Sequence, residues 1–150
     1  MSMKSKRHSL RKGRMMALVN WENNYSVNIN KIDEQHKSWI NLINYLHEAM
    51  KAGKAKEVLG DILDEVMNYT VYHFTSEEKL FEQYNFPNKV EHKKIHDEFV
   101  QRFKKIKQEF ENGKNILSIE LMTELKNWLT NHILNTDKEY SSFLNNKGVN

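Results

Sequence analysis

The stretch HFTSEEKLFEQYNFPNKVEHKKIHDEF, residues 73–99, carries a polar pair on either side of the chain's one proline, Pro87. Proline disfavours helical backbone in the residue before it, so one helix ends and another begins within this stretch. Side chains four residues apart lie on one face of a helix. The stretch therefore predicts two helices joined by a short turn, each with two polar side chains on one face. The pairs are His73 with Glu77 and His92 with His96.

The rest of the chain predicts more helix and no strand. Glycine is rare, with five residues, and no alternating apolar pattern of useful length appears. Asp33 and Ser118 are candidate N-caps, and Gly53 can take the left-handed conformation that closes a helix. Short connections between long helices place neighbours antiparallel. We therefore expect an all-α fold, an up-down-up-down antiparallel four-helix bundle. The predicted helices are 33–53, 57–84, 88–111 and 118–143.

The N-terminal segment is predicted to lie outside the bundle. Residues 1 to about 30 form an extended arm, in which Trp21 and Val27 anchor against the helices. Within it, residues 1–15 are expected to be a basic, disordered extension, ahead of a bundle domain at 16–150. Without the six basic residues of the first 20 positions, 17 Lys and Arg face 20 Asp and Glu. A basic tail on a mildly acidic body is not the footprint of a nucleic-acid-binding face, so no nucleic-acid partner is expected.

Composition excludes several kinds of protein. The chain has no cysteine, so it has no disulfide, thiolate metal site or cysteine nucleophile, and any metal is held by nitrogen and oxygen. A mean hydropathy of -0.79 and the lack of a long apolar run exclude a membrane span. The apolar stretch 15–19 is shorter than a signal peptide needs. We therefore expect a cytoplasmic protein.

Histidines and carboxylates interrupt the apolar face of the predicted helices. One histidine on such a face is more often a hydrogen-bonded core residue than a ligand, but a lone buried carboxylate needs a partner or a shifted pKa. Chance pairings do not satisfy so many polar groups in so small a core, whereas a metal cluster satisfies them together. We therefore predict a metal site inside the bundle. Its candidate ligands are His36, His73, Glu77, His92, His96, His132 and Asp137.

Asp137 is the candidate ligand with the weakest spacing. It follows His132 by five residues, which in a regular α-helix leaves the two side chains about 140° apart. The prediction needs either a locally loosened turn of π type or an aspartate that reaches round the helix edge. The sequence leaves both possibilities open.

The number and chemistry of these ligands predict two metal ions. Seven ligands are too many for one tetrahedral ion, and imidazole with carboxylate suits first-row metals such as iron. Bundle interiors that offer such ligands hold di-iron and di-manganese centres. The glutamate-rich set and the Glu-x-x-His spacing of the ferritin-like bundles are both missing here, so this histidine-rich set is of a different kind.

Four motifs together resemble those of the bacterial hemerythrins. They are WENNYSVNINKIDEQHK at 21–37, His73-Phe74-x-x-Glu77-Glu78, His92-x-x-x-His96, and Trp128-Leu129-x-x-His132-Ile133-x-x-x-Asp137. The resemblance covers roughly residues 16–143. One position departs from the family pattern, because Asn28 stands where glycine is common before the first helix.

The resemblance implies a non-haem di-iron centre, in which two iron ions share an oxo or hydroxo bridge and the carboxylates of Glu77 and Asp137. By position, three histidines complete a six-coordinate iron, and two hold an iron with one open site for dioxygen. The three are His92, His96 and His132, and the two are His36 and His73.

The resemblance also implies an apolar pocket around the open iron. Each of its residues could equally be ordinary core, and the same packing that fills the core would keep bulk water from the iron. His8 and His47 do not match the motifs, and His47 lies about 16 Å along the helix axis from His36, too far to share an iron. We expect His47 to be a plain histidine at the core edge. The pocket residues are Phe74, Trp128, Leu129, Ile133 and Leu134.

We expect reversible dioxygen binding rather than catalysis, for oxygen transport, storage or delivery to an oxygen-consuming enzyme. The second hypothesis is a di-iron enzyme, such as an oxidase, a peroxidase or a nitric oxide reductase, because the open iron could serve either role. Nothing in the sequence resembles a substrate cleft, and no proton donor is apparent beyond the bridge, which favours binding. The third hypothesis is a regulatory oxygen or iron sensor, a role that normally uses an attached output domain.

Overall fold

Four long helices dominate the computed structural model, which describes residues 17–150. Helices α1 (Asn30–Lys51), α2 (Lys56–Tyr84) and α3 (Lys89–Glu111) come first, after a 3-10 turn at Asn23–Tyr25. The fourth helix changes pitch along its length: α4 (Ile119–Asn131) passes into a π-helical segment (His132–Asp137) and then into α5 (Lys138–Asn146). The described residues contain no strand and no helix long and apolar enough to cross a membrane. The predicted all-α four-helix bundle is confirmed. The predicted extension at 1–15 lies outside the described residues.

Local signals in the sequence set the helix ends. Gly53 follows α1 with a φ of 68°, and Asn85 ends α2 with a φ of 58°. The Asn85 amide donates to the carbonyl of Phe81, and a short polar side chain tolerates this left-handed conformation. Ser118 is confirmed as an N-cap, because its hydroxyl accepts from the amide of Leu121 at 3.2 Å. The helix break around the proline therefore begins at a left-handed asparagine.

The predicted start of the first helix, at Asp33, is wrong by three residues. Helix α1 begins at Asn30, and Asp33 lies within its first turn. The Asp33 carboxylate accepts a hydrogen bond from the backbone amide of Val27 at 2.8 Å and another from the hydroxyl of Ser26. Asp33 therefore holds the incoming arm instead of capping its own helix.

The last helix holds the arm through hydrogen bonds from helix side chains to the backbone of the arm. Side chains of α5 donate to three successive carbonyls of the arm. Val27 is fully buried, and Trp21 is half-buried against the core, so both predicted anchors are confirmed. Asn28 has a φ of 58°, the left-handed conformation that glycine adopts without cost. The hydrogen bonds run from Lys138 to Ser26, from Ser141 to Val27 and from Asn145 to Asn28.

A layer of inward polar side chains lies between two apolar clusters. Along α1, Ile32 belongs to one cluster and Ile40 to the other, and His36 lies between them. Along α2, Glu77 follows Phe74 of one cluster and precedes residues of the other. The fold thus encloses the polar layer between packed side chains at both ends.

Candidate metal centre

The structure brings all seven predicted ligands into one buried cluster. They form two groups, and within each group one ligand atom per residue lies within 4.8 Å of the others. None of the seven residues is more than 3% exposed. Glu77 and Asp137 belong to both groups. One group adds His92, His96 and His132, and the other adds His36 and His73.

Asp137 contacts histidines of both groups through its two oxygens. Its Oδ1 lies 3.1 Å from Nε2 of His92 and 3.1 Å from Nε2 of His132. Its Oδ2 lies 3.1 Å from Nε2 of His36. A carboxylate with one oxygen toward each group is placed to bridge two cations.

Glu77 approaches the cluster from α2 and also contacts histidines of both groups, but it does so through one oxygen. Its Oε1 lies 3.3 Å from Nε2 of His96 and 3.5 Å from Nε2 of His73, which belong to different groups. Its Oε2 lies 3.8 Å from Nε2 of His36 and accepts a hydrogen bond from the hydroxyl of Tyr140. Glu77 is therefore the second carboxylate that could bridge.

The π-helical segment accounts for the position of Asp137. Residues five apart face one another across a π-helical turn, because its hydrogen bonds join residues i and i+5. The flanking Asn131 and Lys138 keep right-handed helical dihedral angles, so the helix continues through the segment. Of the two possibilities that the sequence leaves open, the structure shows the loosened turn.

Many polar atoms of the cluster face one another without a hydrogen-bond partner. Buried polar groups are nearly always paired, so such a concentration of unpaired ones fits a site for a cation. In addition, Nε2 of His96 lies 3.2 Å from Nε2 of His132, so that two ring nitrogens meet. Imidazole and carboxylate donors suit first-row metals. The residues therefore fit a metal centre. The unpaired atoms are both ring nitrogens of His36 and His92, Nε2 of His73, Oε1 of Glu77 and both carboxylate oxygens of Asp137.

Burial and neighbouring charges move the pKa values of the histidines apart. Burial lowers the pKa of His73 to about 3, and the charge of His36 acts in the same direction against the attraction of Glu77. Burial also opposes protonation of His96, but the carboxylates of Glu77 and Glu78 outweigh it and raise the pKa of His96 to about 9. The metal-free cluster therefore holds His73 neutral and His96 protonated near pH 7.

Two polar side chains outside the predicted set contact ligand histidines from behind. Oε1 of Gln35 lies 2.8 Å from Nδ1 of His73, and Oε2 of Glu78 lies 2.8 Å from Nδ1 of His96. The sequence prediction missed both as functional residues. Two signals were present, since each residue lies next to a predicted ligand and within one of the motifs quoted above, at 21–37 for Gln35 and at 73–78 for Glu78.

Tyr140 is a third polar residue that the prediction missed. It is fully buried, and its hydroxyl donates to Oε2 of Glu77. Burial, together with the charges of Glu77 and Asp137, raises the pKa of Tyr140 well above its usual range. The hydroxyl therefore stays protonated and acts as a donor to a shared carboxylate.

Aromatic rings pack directly on the ligand histidines. The ring of Phe74 stacks on that of His96, with centroids 3.7 Å apart and an interplanar angle of 2°. The ring of Trp128 stacks on His132 at 4.5 Å and 11°. These contacts fix the orientation of both imidazoles.

Trp39 completes this aromatic surface, although the sequence did not single it out. Its ring lies 5.2 Å from the ring of His73, 5.4 Å from Phe74 and 6.2 Å from Trp128, measured between centroids. Its indole nitrogen donates to Oγ1 of Thr70 at 2.9 Å, which anchors the ring. We call Trp39, Phe74 and Trp128 the aromatic wall.

The aliphatic residues predicted to line the pocket lie in the core. Leu129 and Ile133 are buried in the larger apolar cluster, and Leu134 is half-buried against it. Their role as pocket lining stays a prediction. His47 is half-buried and belongs to neither ligand group among the described residues, as expected for a histidine at the core edge.

Known proteins are similar to this chain in both sequence and fold. The family described as "Hemerythrin HHE cation binding domain" matches residues 27–144. A bacteriohemerythrin of Stenotrophomonas maltophilia is 37% identical over 126 residues, which cover 84% of this chain and 81% of the relative. A hemerythrin-like protein of Naegleria gruberi is 34% identical over 125 residues, covering 83% and 92%. A crystal structure of wild-type hemerythrin superposes with a TM-score of 0.80 at 29% identity, over 84% of this chain and 97% of that one.

Proposed function

This chain belongs to the hemerythrin family, and we propose that it binds dioxygen reversibly at a pair of iron ions, for oxygen transport, storage or delivery. The observation that carries the proposal is the division of the buried cluster into two ligand groups that share Glu77 and Asp137. Relatives named bacteriohemerythrin and the family's cation-binding description support it.

The two groups differ in their number of histidines. In this proposal, Glu77 and Asp137 would hold both iron ions, which would also share an oxo or hydroxo group, and the remaining histidines of each group would hold one ion. The position beside His36 and His73 has one histidine fewer than the other. Dioxygen would therefore bind at that position, where fewer side chains would hold the iron. When bound, a pair of ferrous ions supplies two electrons and an open position for dioxygen.

Of the aromatic wall, Trp39 lies beside the position assigned to dioxygen, whereas Phe74 and Trp128 stack on His96 and His132 of the other position. The ring of Trp39 is 5.2 Å from that of His73 and 6.5 Å from that of His36, the two histidines of this position. Packed apolar side chains keep water and reductants from a reactive centre and so slow side reactions. The wall therefore suits a site that takes up a small apolar gas and releases it unchanged.

Buried residues around the cluster hold the metal-binding side chains in place before any metal binds. The Tyr140 hydroxyl fixes one oxygen of Glu77, and the stacked ring of Phe74 fixes His96. Because His73 is neutral near pH 7, its ring has a free lone pair to offer. Such pre-organisation reduces the rearrangement that metal binding requires.

We propose a carrier rather than an enzyme, with an oxygen-consuming enzyme as the recipient of the gas. An oxidase, a peroxidase or a nitric oxide reductase must admit electrons and protons at every turnover. The close packing of the aromatic wall against the ligands favours the carrier. The measurement of oxygen consumption described next distinguishes the carrier from an enzyme. The sensor role stays the third hypothesis.

Iron content and steady-state oxygen consumption test this proposal together. Protein from iron-replete cells should contain two irons per chain and should not sustain oxygen consumption when a reductant is supplied. One ion per chain, or mainly zinc, contradicts the di-iron centre. Continuous consumption of oxygen, peroxide or nitric oxide contradicts the carrier and supports the enzyme.

Leu134→Ala tests the pocket prediction separately. Shortening Leu134, which is half-buried against the larger apolar cluster, should leave iron content unchanged and speed the decay of the oxygenated protein to its oxidised form. Leu59→Ala, which also shortens a half-buried leucine but lies near the start of α2, is the matched control. Equal decay rates in the two variants contradict a pocket role for Leu134.

A further inference from the structure

A chain of polar groups runs from the backbone of α2 to the back of His73. The hydroxyl of Ser76 donates to the carbonyl of Tyr72 at 3.0 Å. The Gln35 amide nitrogen donates to the Ser76 hydroxyl oxygen at 3.3 Å, and the Gln35 amide oxygen lies 2.8 Å from Nδ1 of His73. Gln35 is 5% exposed and His73 is fully buried, so water does not compete for the contact between them, whereas Ser76 is half-buried.

The number of protons available along these hydrogen bonds determines which ring nitrogen of His73 is protonated. The Ser76 hydroxyl has one proton and gives it to Tyr72, so toward Gln35 it can only accept. Gln35 must then turn its NH₂ group to Ser76 and its oxygen to His73. Because a carbonyl oxygen only accepts, Nδ1 of His73 carries the proton. The Nε2 lone pair is thereby directed toward the cluster.

A different group stands behind His96. Oε2 of Glu78 lies 2.8 Å from Nδ1 of His96, and a carboxylate also only accepts. The proton therefore sits on Nδ1 here too when His96 offers Nε2 to a metal. The difference is charge, because the acceptor behind His96 is an anion, whereas the acceptor behind His73 is a neutral amide. Charge-assisted hydrogen bonds are shorter and stronger than neutral ones.

We propose that Gln35 and Glu78 are positioning residues that make the two metal positions electronically unequal. The carboxylate draws the Nδ1 proton of His96 and so makes that imidazole the stronger electron donor. The metal position of His92, His96 and His132 then favours the higher oxidation state. The neutral amide leaves His73 a weaker donor, and its position favours the lower oxidation state. This inference rests on the proposed function in taking both positions as metal-filled.

The first test uses the protein loaded with zinc, which is diamagnetic, and records the Nδ1–H resonances of His73 and His96 by NMR. The His96 proton should lie further downfield than the His73 proton. Glu78→Gln should move the His96 proton upfield, toward the position of the His73 proton. Gln35→Glu should move the His73 proton downfield. Equal positions in the parent, or no shift in either variant, would overturn the proposal.

Matched controls separate these effects from general changes of charge. Glu82→Gln and Gln83→Glu make the same exchanges at exposed positions of α2 and should leave both resonances in place. Ser76→Ala removes the hydroxyl that orients Gln35 and should weaken the protection of the His73 proton from solvent exchange. Thr75→Ala, at the exposed neighbouring position, should not.

The second test measures the midpoint potential of the iron-loaded protein. Gln35→Glu should shift it to lower potential, and Glu78→Gln should shift it to higher potential. A merely structural role predicts loss of metal without opposite shifts, so shifts in the same direction or none would overturn the proposal. If the chain takes up no iron, the proposed function fails, while the zinc experiment still decides the inference about Gln35 and Glu78.

Discussion

Oδ1 of Asp137 lies 3.1 Å from Nε2 of His132, although five residues separate them on one helix. A regular α-helix would turn the two side chains about 140° apart. In the π-helical segment His132–Asp137 the two side chains lie on the same side of the helix, and both face the cluster. Segments of this kind often occur at functional sites. Here the segment places a carboxylate with an oxygen toward each group of ligands.

Asp137→Asn tests whether this carboxylate holds metal. The variant keeps the size of the side chain and removes its charge and one acceptor, so we expect iron content to fall from two per chain to one or fewer. Metal analysis of the purified variant measures this. Asp61→Asn, at an exposed position of α2, should retain the parent's iron content. Full iron content in the Asp137 variant contradicts the bridging role.

Tyr140→Phe tests the hydrogen bond to Glu77. The ring stays packed among apolar neighbours, so the fold should persist, but Glu77 loses the donor to its Oε2. We expect the free energy of unfolding to fall by about 1.5–3 kcal/mol, the range for hydrogen bonds to charged groups. Urea unfolding measures the change. Tyr84→Phe removes a half-buried hydroxyl that only accepts from Gln83, and it should change stability by less than about 0.5 kcal/mol.

His36→Ala and His132→Ala should differ in kind. His36 is one of two histidines of its group, and its loss should abolish oxygen binding. His132 is one of three, and its loss should leave a centre that still binds oxygen but oxidises faster. Optical spectra of both variants with and without air compare them. Oxygen binding like that of the parent in both would show that the ligand assignment is wrong.

Metal binding near pH 7 should release protons. A histidine ligates as the neutral imidazole, and the carboxylates of Glu77 and Glu78 raise the pKa of metal-free His96 to about 9, against the effect of burial. His96 must therefore lose a proton when metal binds at pH 7, whereas His73, with a pKa of about 3, loses none. Apparent affinity should rise with pH until about pH 9.

Calorimetry of zinc binding in two buffers of different ionisation enthalpy counts the released protons. At least one proton per chain should be released at pH 7, and the His96 contribution should vanish well above pH 9. Metal binding without proton release at pH 7 contradicts a protonated His96 in the metal-free cluster.

The sequence predicts the helices because they follow from short-range spacing, and it predicts the gathering of the seven polar residues because so many polar groups on inward faces need one another or a metal. Pairs such as His73 and Glu77 share a face by helix geometry alone. The π-helical turn was one of two alternatives, since the spacing of His132 and Asp137 demands a deviation without specifying which. The predicted start of α1 is wrong because Asp33, a good capping residue, accepts a hydrogen bond from the amide of Val27 in the arm instead.

Contacts between helices lie beyond such reasoning. Gln35 and His73 meet across 38 positions of the chain, and their contact depends on how α1 and α2 pack and on which rotamers fit. Tyr140 reaches Glu77 across 63 positions for the same reason. Periodicity identifies these residues as inward-facing at most, and it does not identify their partners.

The most direct test of the central claim is an oxygen titration of the reduced, iron-loaded protein. We predict uptake of one dioxygen per two irons, an absorption band that appears on oxygenation, and return to the colourless state when oxygen is removed, over repeated cycles. Uptake that continues beyond this stoichiometry, or a colour change that removing oxygen does not reverse, would contradict the account of this chain as a reversible carrier.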